Sequence, residues 1–248
     1  MKYSYSLIYP SGNVTGVVTS KCPKKTYKTI NDSILSDHKE CEQVCFIKDW
    51  KNKTCTFEMA GGEFCGNACR SVGYYCFTKY NTPVLKLLIN KIKINCECKK
   101  NYSSIKVAKK DLLKKIKKID EYTSVVILKG ITHIVLLEKS KYFVSNPTKE
   151  IADNVIKKLQ IDDCAIGVMF VDKNTNLKPF VYVKAVDTFY YETACASGSL
   201  SCGIVLNKNV SLKQPSGDKL DFKIDKNYIS VGGVIKILSE QTSEITQN

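Results

Sequence analysis

Two short stretches, one in each half of the chain, constrain the fold more than any other feature. "GGEFCGNACRS" (61–71) and "YYETACASGSLSCGIVL" (190–206) each set a cysteine just after strand-like sequence. Small or polar residues follow the cysteine, and an apolar helical run follows those. A strand–cysteine–helix element repeated once per half predicts two similar lobes facing across a pseudo-two-fold axis.

The rest of the chain fits that frame. At 248 residues and 44% hydrophobic, it has core material for one large domain or two smaller ones. "YSLIYP" and "GVVTS" flank the turn-prone "SGN", and "VCFIKDW" and "TCTFEMA" flank "KNK"; both pairs read as hairpin-like strands. "VLKLLINKIKINCEC", "SSIKVA", "TSVVILKG", "HIVLLE", "AIGVMFVD" and "PFVYVKAVD" also read as strand, and "PSGDKLDFKI" and "YISVGGVIKIL" close the chain. Helices are expected over 67–80, 109–119 and 148–159. The second is amphipathic, with Leu112, Leu113, Ile116 and Ile119 on one face. The predicted class is α+β, with an N-terminal lobe over 1–110 and a C-terminal lobe over 111–248. The last strands are free to pack back on the first lobe, and the tail after Ser239 is expected to fray.

Charge and cysteine content narrow the function classes. The formal net charge is +14, but of 38 basic residues all except Arg70 are lysine, spread along the whole chain. Nucleic-acid sites favour arginine for its planar fork, so the lysines read as solvated faces and no nucleic-acid partner is expected, a basic nucleic-acid-binding protein standing as the non-enzymatic alternative. No apolar h-region or membrane-length apolar run occurs, so a cytoplasmic protein without membrane contact is expected. Twelve cysteines with no Cys-x2-Cys pair, and two histidines (His38, His133) outside ligand-like spacing, argue against a structural metal.

A cysteine at a helix N-terminus sits at the positive end of the helix dipole, which favours thiolate. The small residues after it let backbone N–H groups approach an anion. Two such ends facing each other could grip one carboxylate with a thiol on each side of the substrate carbon, an arrangement suited to two-base racemisation. On spacing alone, Cys65 and Cys195 read equally well as buried small residues at tight turns.

"EFCGNACRS" resembles the Cys-Gly-Asn motif of the diaminopimelate epimerase family, and "ETACASGSLS" resembles its second motif, Ala-Cys-Gly-(Thr/Ser)-Gly. "PSGNVTGVV" (10–18), "GITHIVL" (130–136) and "QPSGDKLDFKI" resemble further family segments, in order, over nearly the whole chain. The resemblance implies the diaminopimelate epimerase fold, two pseudo-symmetric lobes each with a mixed sheet or barrel around a central helix. It implies an isomerase that racemises amino acids without pyridoxal phosphate, any other cofactor or metal. Carried over residue by residue, it makes Cys65 and Cys195 the acid/base pair. The backbone N–H groups of Gly66, Asn67, Ala196 and Ser197 would hold the α-carboxylate, and Asn13 would lie near the substrate. It also implies a small-molecule amino-acid substrate and a homodimer.

The departures bear on the substrate. The family's far-end arginine precedes its second cysteine, where this chain reads "VDTFYYETAC"; Arg70 instead follows the first motif. Ile131 stands where the family has an asparagine. A distal carboxylate would lose its partners, which disfavours diaminopimelate. The string Gly-Gly-Glu-Phe-Cys-Gly-Asn-Ala at 61–68 resembles the first motif of the histidine racemases, a branch of this fold. That resemblance implies L- and D-histidine as substrates, with a diaminopimelate- or lanthionine-type epimerase as the alternative. Glu42 and Glu58 are then candidate acceptors for a ring N–H, and Phe189, Tyr190 and Tyr191 candidate walls. Glu63 and Glu192 read as residues that shape their turns, Arg70 as a support for its helix, and His133 as a structural or supporting residue.

Overall fold

A computed structural model describes residues 1–245. The chain opens with β1 (Lys2–Tyr9), β2 (Val14–Val18), helix α1 (Tyr27–Asp37), β3 (Cys41–Lys51) and β4 (Thr54–Met59). Helix α2 (Gly66–Tyr80) follows, then β5 (Val84–Ile89), β6 (Ile92–Lys99) and β7 (Tyr102–Ala108). A one-turn helix α3 (Lys109–Leu112) leads into β8 (Leu113–Lys118), β9 (Thr123–Leu128), β10 (Ile131–Leu137) and helix α4 (Lys149–Lys158). Next come β11 (Ala165–Val171), β12 (Leu177–Val183), β13 (Thr188–Tyr191) and helix α5 (Ala196–Leu206). The chain finishes with β14 (Val210–Lys213), β15 (Lys219–Ile224), β16 (Tyr228–Val234) and β17 (Lys236–Glu244).

These strands form two mixed sheets. The larger has eleven strands in the order β14-β15-β16-β7-β6-β5-β4-β3-β2-β1-β17, and the smaller six in the order β13-β12-β11-β10-β9-β8. Most neighbours are antiparallel, but β2/β3, β4/β5 and β10/β11 run parallel. Parallel neighbours need a long crossover, and α1, α2 and α4 supply the three. The smaller sheet thus holds only strands between Leu113 and Tyr191, and the last four strands return to the larger one. Among the described residues, no helix is long and apolar enough to cross a membrane.

Helix α2 packs against β2 through β7 and lies inside the curve of the larger sheet. Helix α5 touches β9, β10 and β11 on one side and β15 and β16 on the other, so it fills the space between the sheets. Its sequence, ASGSLSCGIVL, is buried from Ala196 to Ile204, as a helix without a charged face must be. A Cβ on Gly203 would overlap the Phe222 ring, so only glycine lets α5 lie this close to β15.

Three local expectations are corrected. The helix predicted over 109–119 is one turn, after which residues 113–118 form an edge strand on β9. Strand β9 offers an unpaired edge, and an exposed, lysine-rich segment suits that position better than a helix lacking a groove to bury its apolar face. Ile116, expected on that face, is exposed. Helix α1 was not foreseen; it covers β3, with Tyr27 stacked on Phe46 at 3.7 Å between ring centroids. The segment expected to fray after Ser239 is instead paired along β1 as far as Glu244, while residues 246–248 lie outside the described residues. The helix expected at 148–159 is present as α4, with the Thr148 hydroxyl capping it by accepting from the Ile151 N–H.

Candidate active site

Each cysteine of the two motifs is the N-cap of its helix. Cys65 and Cys195 have extended backbone, and their sulfurs accept the N–H of Ala68 and of Gly198, each at 3.3 Å. A helix start leaves its first N–H groups without intrahelical acceptors. The sulfurs serve the third in each case, which leaves those of Gly66, Asn67, Ala196 and Ser197 as two pairs of anion-binding donors.

The two helix starts abut. A Cβ placed on Gly66 would lie 2.9 Å from Ala196 Cβ and 3.0 Å from the Ser197 nitrogen. Gly66→Ala should therefore push the helix ends apart and lower kcat on the order of 100-fold, since a displacement of about 1 Å costs that much. Steady-state kinetics tests this, and a wild-type kcat would refute the close approach. The contact is braced from behind. The side-chain amides of Asn13 and Asn67 both donate to the Ala194 carbonyl, at 3.1 and 2.8 Å. Gln214 accepts the Cys195 N–H at 3.0 Å.

Both cysteines line one cavity, together with Glu42, Gln43, Glu63 and Glu192. Three carboxylates thus share the cavity, and among the described residues no lysine or arginine lines it. Burial raises all three: Glu42 to about 7, Glu63 to about 7 and Glu192, which also feels Glu42, to about 8. Glu42 accepts the Thr193 hydroxyl at 2.6 Å and the Thr193 N–H at 3.3 Å. Among the described residues, Glu63 Oε2, Glu192 Oε2, Asn13 Oδ1 and Asn67 Oδ1 are buried acceptors with no donor. A ligand rich in N–H groups in the cavity would satisfy those of Glu63, Asn67 and Glu192, which line it.

The thiols differ from the first expectation. Burial pushes both well above the ordinary thiol range, and Glu192 adds to the rise for each. The helix-end N–H groups favour thiolate, but in this dry site desolvation is the larger effect.

The other sequence candidates separate. Glu58 faces Lys24 and Lys48, at 3.6 and 3.8 Å, and is not a cavity wall. Of the three aromatics, Tyr190 borders the cavity; Phe189 packs on Tyr182 and Tyr191 on Phe180. Asn13 is buried beside Glu192 and behind Ala194 rather than in the cavity wall. Arg70 is fully buried and hydrogen-bonds the Pro10, Ser103 and Val234 carbonyls and the Ser11 hydroxyl. His133 is buried between Ser197 and Ser201, and burial drives its pKa down to about 3.

Sequence reasoning missed Gln43, whose Oε1 lies 2.9 Å from the Cys65 sulfur. Strand alternation puts Glu42 and Gln43 on opposite faces. The β2–β3 register instead skips Glu42, pairing Val14 with Cys41 and Thr15 with Gln43, and this bulge turns both side chains toward the cavity.

A family model described as the histidine racemase CntK N-terminal domain matches residues 2–242. The chain belongs to the histidine racemase family. A histidine racemase of Fusobacterium nucleatum subsp. nucleatum is 32% identical, with 94% of each chain covered. The histidine racemase of Staphylococcus aureus is 26% identical, covering 87% of this chain and 86% of its own. Among solved structures, a phenazine biosynthesis PhzF-family protein from Enterococcus faecalis superposes with a TM-score of 0.64 at 14% identity, covering 99% of this chain and 100% of its own. A hydroxyproline epimerase from Agrobacterium vitis gives 0.59 at 7% identity, covering 97% and 92%. These neighbours share the two-sheet α+β fold; they are of the phenazine-biosynthesis and proline-racemase types rather than diaminopimelate epimerases. This member of the histidine racemase family is an isomerase, an amino-acid racemase.

Proposed function

We propose that the chain interconverts L- and D-histidine without a cofactor, using Cys65 and Cys195 as a two-base pair. The observation that carries this reading is the meeting of two cysteine-capped helix starts at one cavity walled by carboxylates and by no cation. The four free N–H groups hold the α-carboxylate and stabilise the negative charge that develops on it as the Cα proton leaves. One sulfur takes that proton, and the other delivers a proton to the opposite face. The α-ammonium and imidazole bring the N–H donors that the Glu63, Glu192 and Asn67 oxygens lack, and Glu42, which lines the same cavity, is our candidate acceptor for the ring. The arrangement supports the two-lobed epimerase frame, one capped helix for 1–110 and one for 111–248.

Diaminopimelate fits poorly. Its distal carboxylate would enter a cavity already holding three carboxylates, with no arginine to receive it. The test is proton NMR in deuterated water with purified enzyme, each L-amino acid in turn, and diaminopimelate. Loss of the Hα signal is expected for histidine and not for diaminopimelate. Exchange in diaminopimelate alone would overturn the substrate assignment.

A further inference from the structure

Two-base racemisation ends each turnover with the protons exchanged: the sulfur that took the Cα proton is a thiol, and the sulfur that gave one is a thiolate. Before the same enantiomer can react again, a proton has to travel back from the first sulfur to the second. Water reaches neither sulfur freely, since Cys65 is 9% exposed and Cys195 3%. The groups that face the sulfurs therefore decide what can carry that proton.

Most of them cannot. Gln43 Oε1 lies 2.9 Å from the Cys65 sulfur, and an amide oxygen holds no proton near neutral pH. Ser197 Oγ lies 3.6 Å from the Cys195 sulfur, but its chain runs on through His133 to Ser201 inside α5. Glu63 acts on Cys65, and Glu42 is held by the Thr193 hydroxyl at 2.6 Å. Glu192 differs: its carboxylate is the strongest charge acting on each of the two sulfurs. The Cys195 thiol and the Asn13 amide hydrogen-bond it, and its Oε2 is left without a donor. The Glu192 N–H donates to the Pro179 carbonyl at 3.0 Å, which pins the residue between β13 and α5. Burial raises Glu192 to about 8, close to an ordinary thiol, so a carboxyl there can take and release a thiol proton near neutral pH.

We propose that Glu192 is the proton relay that resets the enzyme between turnovers, carrying a proton from the sulfur that has just taken one to the sulfur that has just given one. This rests on the two-cysteine reading above and holds whichever sulfur acts first. Once product leaves, the S–H bond of the loaded cysteine breaks and its proton forms an O–H bond on the Glu192 carboxylate. That O–H bond then breaks as the proton passes to the other sulfur, a thiolate, and forms its S–H bond. One proton moves, the net charge of the site is unchanged and no electron is transferred. With substrate bound, the α-ammonium occupies the same carboxylate, so the relay opens only in the empty site.

The test is Glu192→Gln, which keeps the size of the side chain and carries no proton. Rapid quenching after mixing with saturating L-histidine, read by chiral chromatography, should show about one enzyme equivalent of D-histidine formed quickly, then a steady phase at least about tenfold slower. Glu63→Gln, which removes a carboxylate acting on Cys65, should show no such burst. Steady turnover of Glu192→Gln at the wild-type kcat, or a rate reduced from the first turnover onward, would overturn the relay; a raised KM without a burst would reduce Glu192 to a substrate contact. A second measurement uses the wild-type chain, with α-deuterated L-histidine in ordinary water. Some of the D-histidine formed early should carry deuterium taken from an earlier substrate molecule. Complete washout into water would overturn the relay. None of these outcomes touches the two-cysteine reading, which full racemase activity in a Cys65 or Cys195 variant would overturn instead.

Discussion

Replacing Cys65 or Cys195 by serine is expected to lower racemisation by about a thousandfold or more while leaving the fold in place. Serine is the informative substitution because each cysteine has two tasks. As N-cap, its side chain accepts the third helical N–H, and a hydroxyl oxygen does that at least as well. As acid or base it must shed and regain a proton on demand, and a hydroxyl is too weakly acidic to do so at neutral pH. Alanine removes both functions, at a capping cost of about 1 kcal/mol, so comparing the two variants separates stability from chemistry. The double variant should be scarcely worse than either single one, because a base without its partner acid completes no inversion. Circular dichroism melting and optical rotation of histidine are the measurements. A serine variant keeping more than about a tenth of wild-type activity would exclude two-thiol catalysis, given the usual size of acid–base effects.

The two capped helices were legible because their signal is local. A cysteine, a run of small residues and an apolar stretch state an N-terminus within a few positions, and the second copy doubles the signal. The carboxylate cluster was not legible in that way. Glu42, Glu63 and Glu192 come from three separate segments, and Glu63 and Glu192 sit at turns where an acidic residue is unremarkable. Gln43 was hidden by the bulge at Glu42, because a one-residue slip reverses the face of every side chain after it. Residues 113–118 read as helix because periodicity cannot see an open sheet edge several residues further along the chain. Helix α1 has a weak apolar stripe with Tyr27, Ile30 and Ile34 at its centre, and it is packing on β3 that makes it a helix.

Arg70→Leu should destabilise the protein by about 3–5 kcal/mol, because neutral buried acceptors lose a charged donor that leucine cannot replace. Burial lowers the guanidinium pKa to about 10, which still leaves it charged at neutral pH. It has no carboxylate partner among its hydrogen bonds; its protons go to Ser103 of β7, Val234 at the end of β16, and Pro10 and Ser11 just after β1. In the sheet order, β16 and β7 lie toward one end and β1 toward the other. One side chain therefore joins the two ends where the larger sheet curves around α2. The same loop continues to Asn13, which meets Asn67 at the Ala194 carbonyl beside Cys195. Losing the guanidinium would take a donor from the buried Pro10 and Ser103 carbonyls, while the Val234 carbonyl keeps the Ser11 hydroxyl, and would loosen the loop that positions the second motif. For a chain of this size the melting temperature should fall by on the order of 10 °C. Arg70→Lys should fall between the two, since a single ammonium carries the charge but cannot span four acceptors in a fixed plane. An Arg70→Leu protein melting within about 2 °C of wild type, a shift worth under 1 kcal/mol, would show that sheet closure does not depend on this residue.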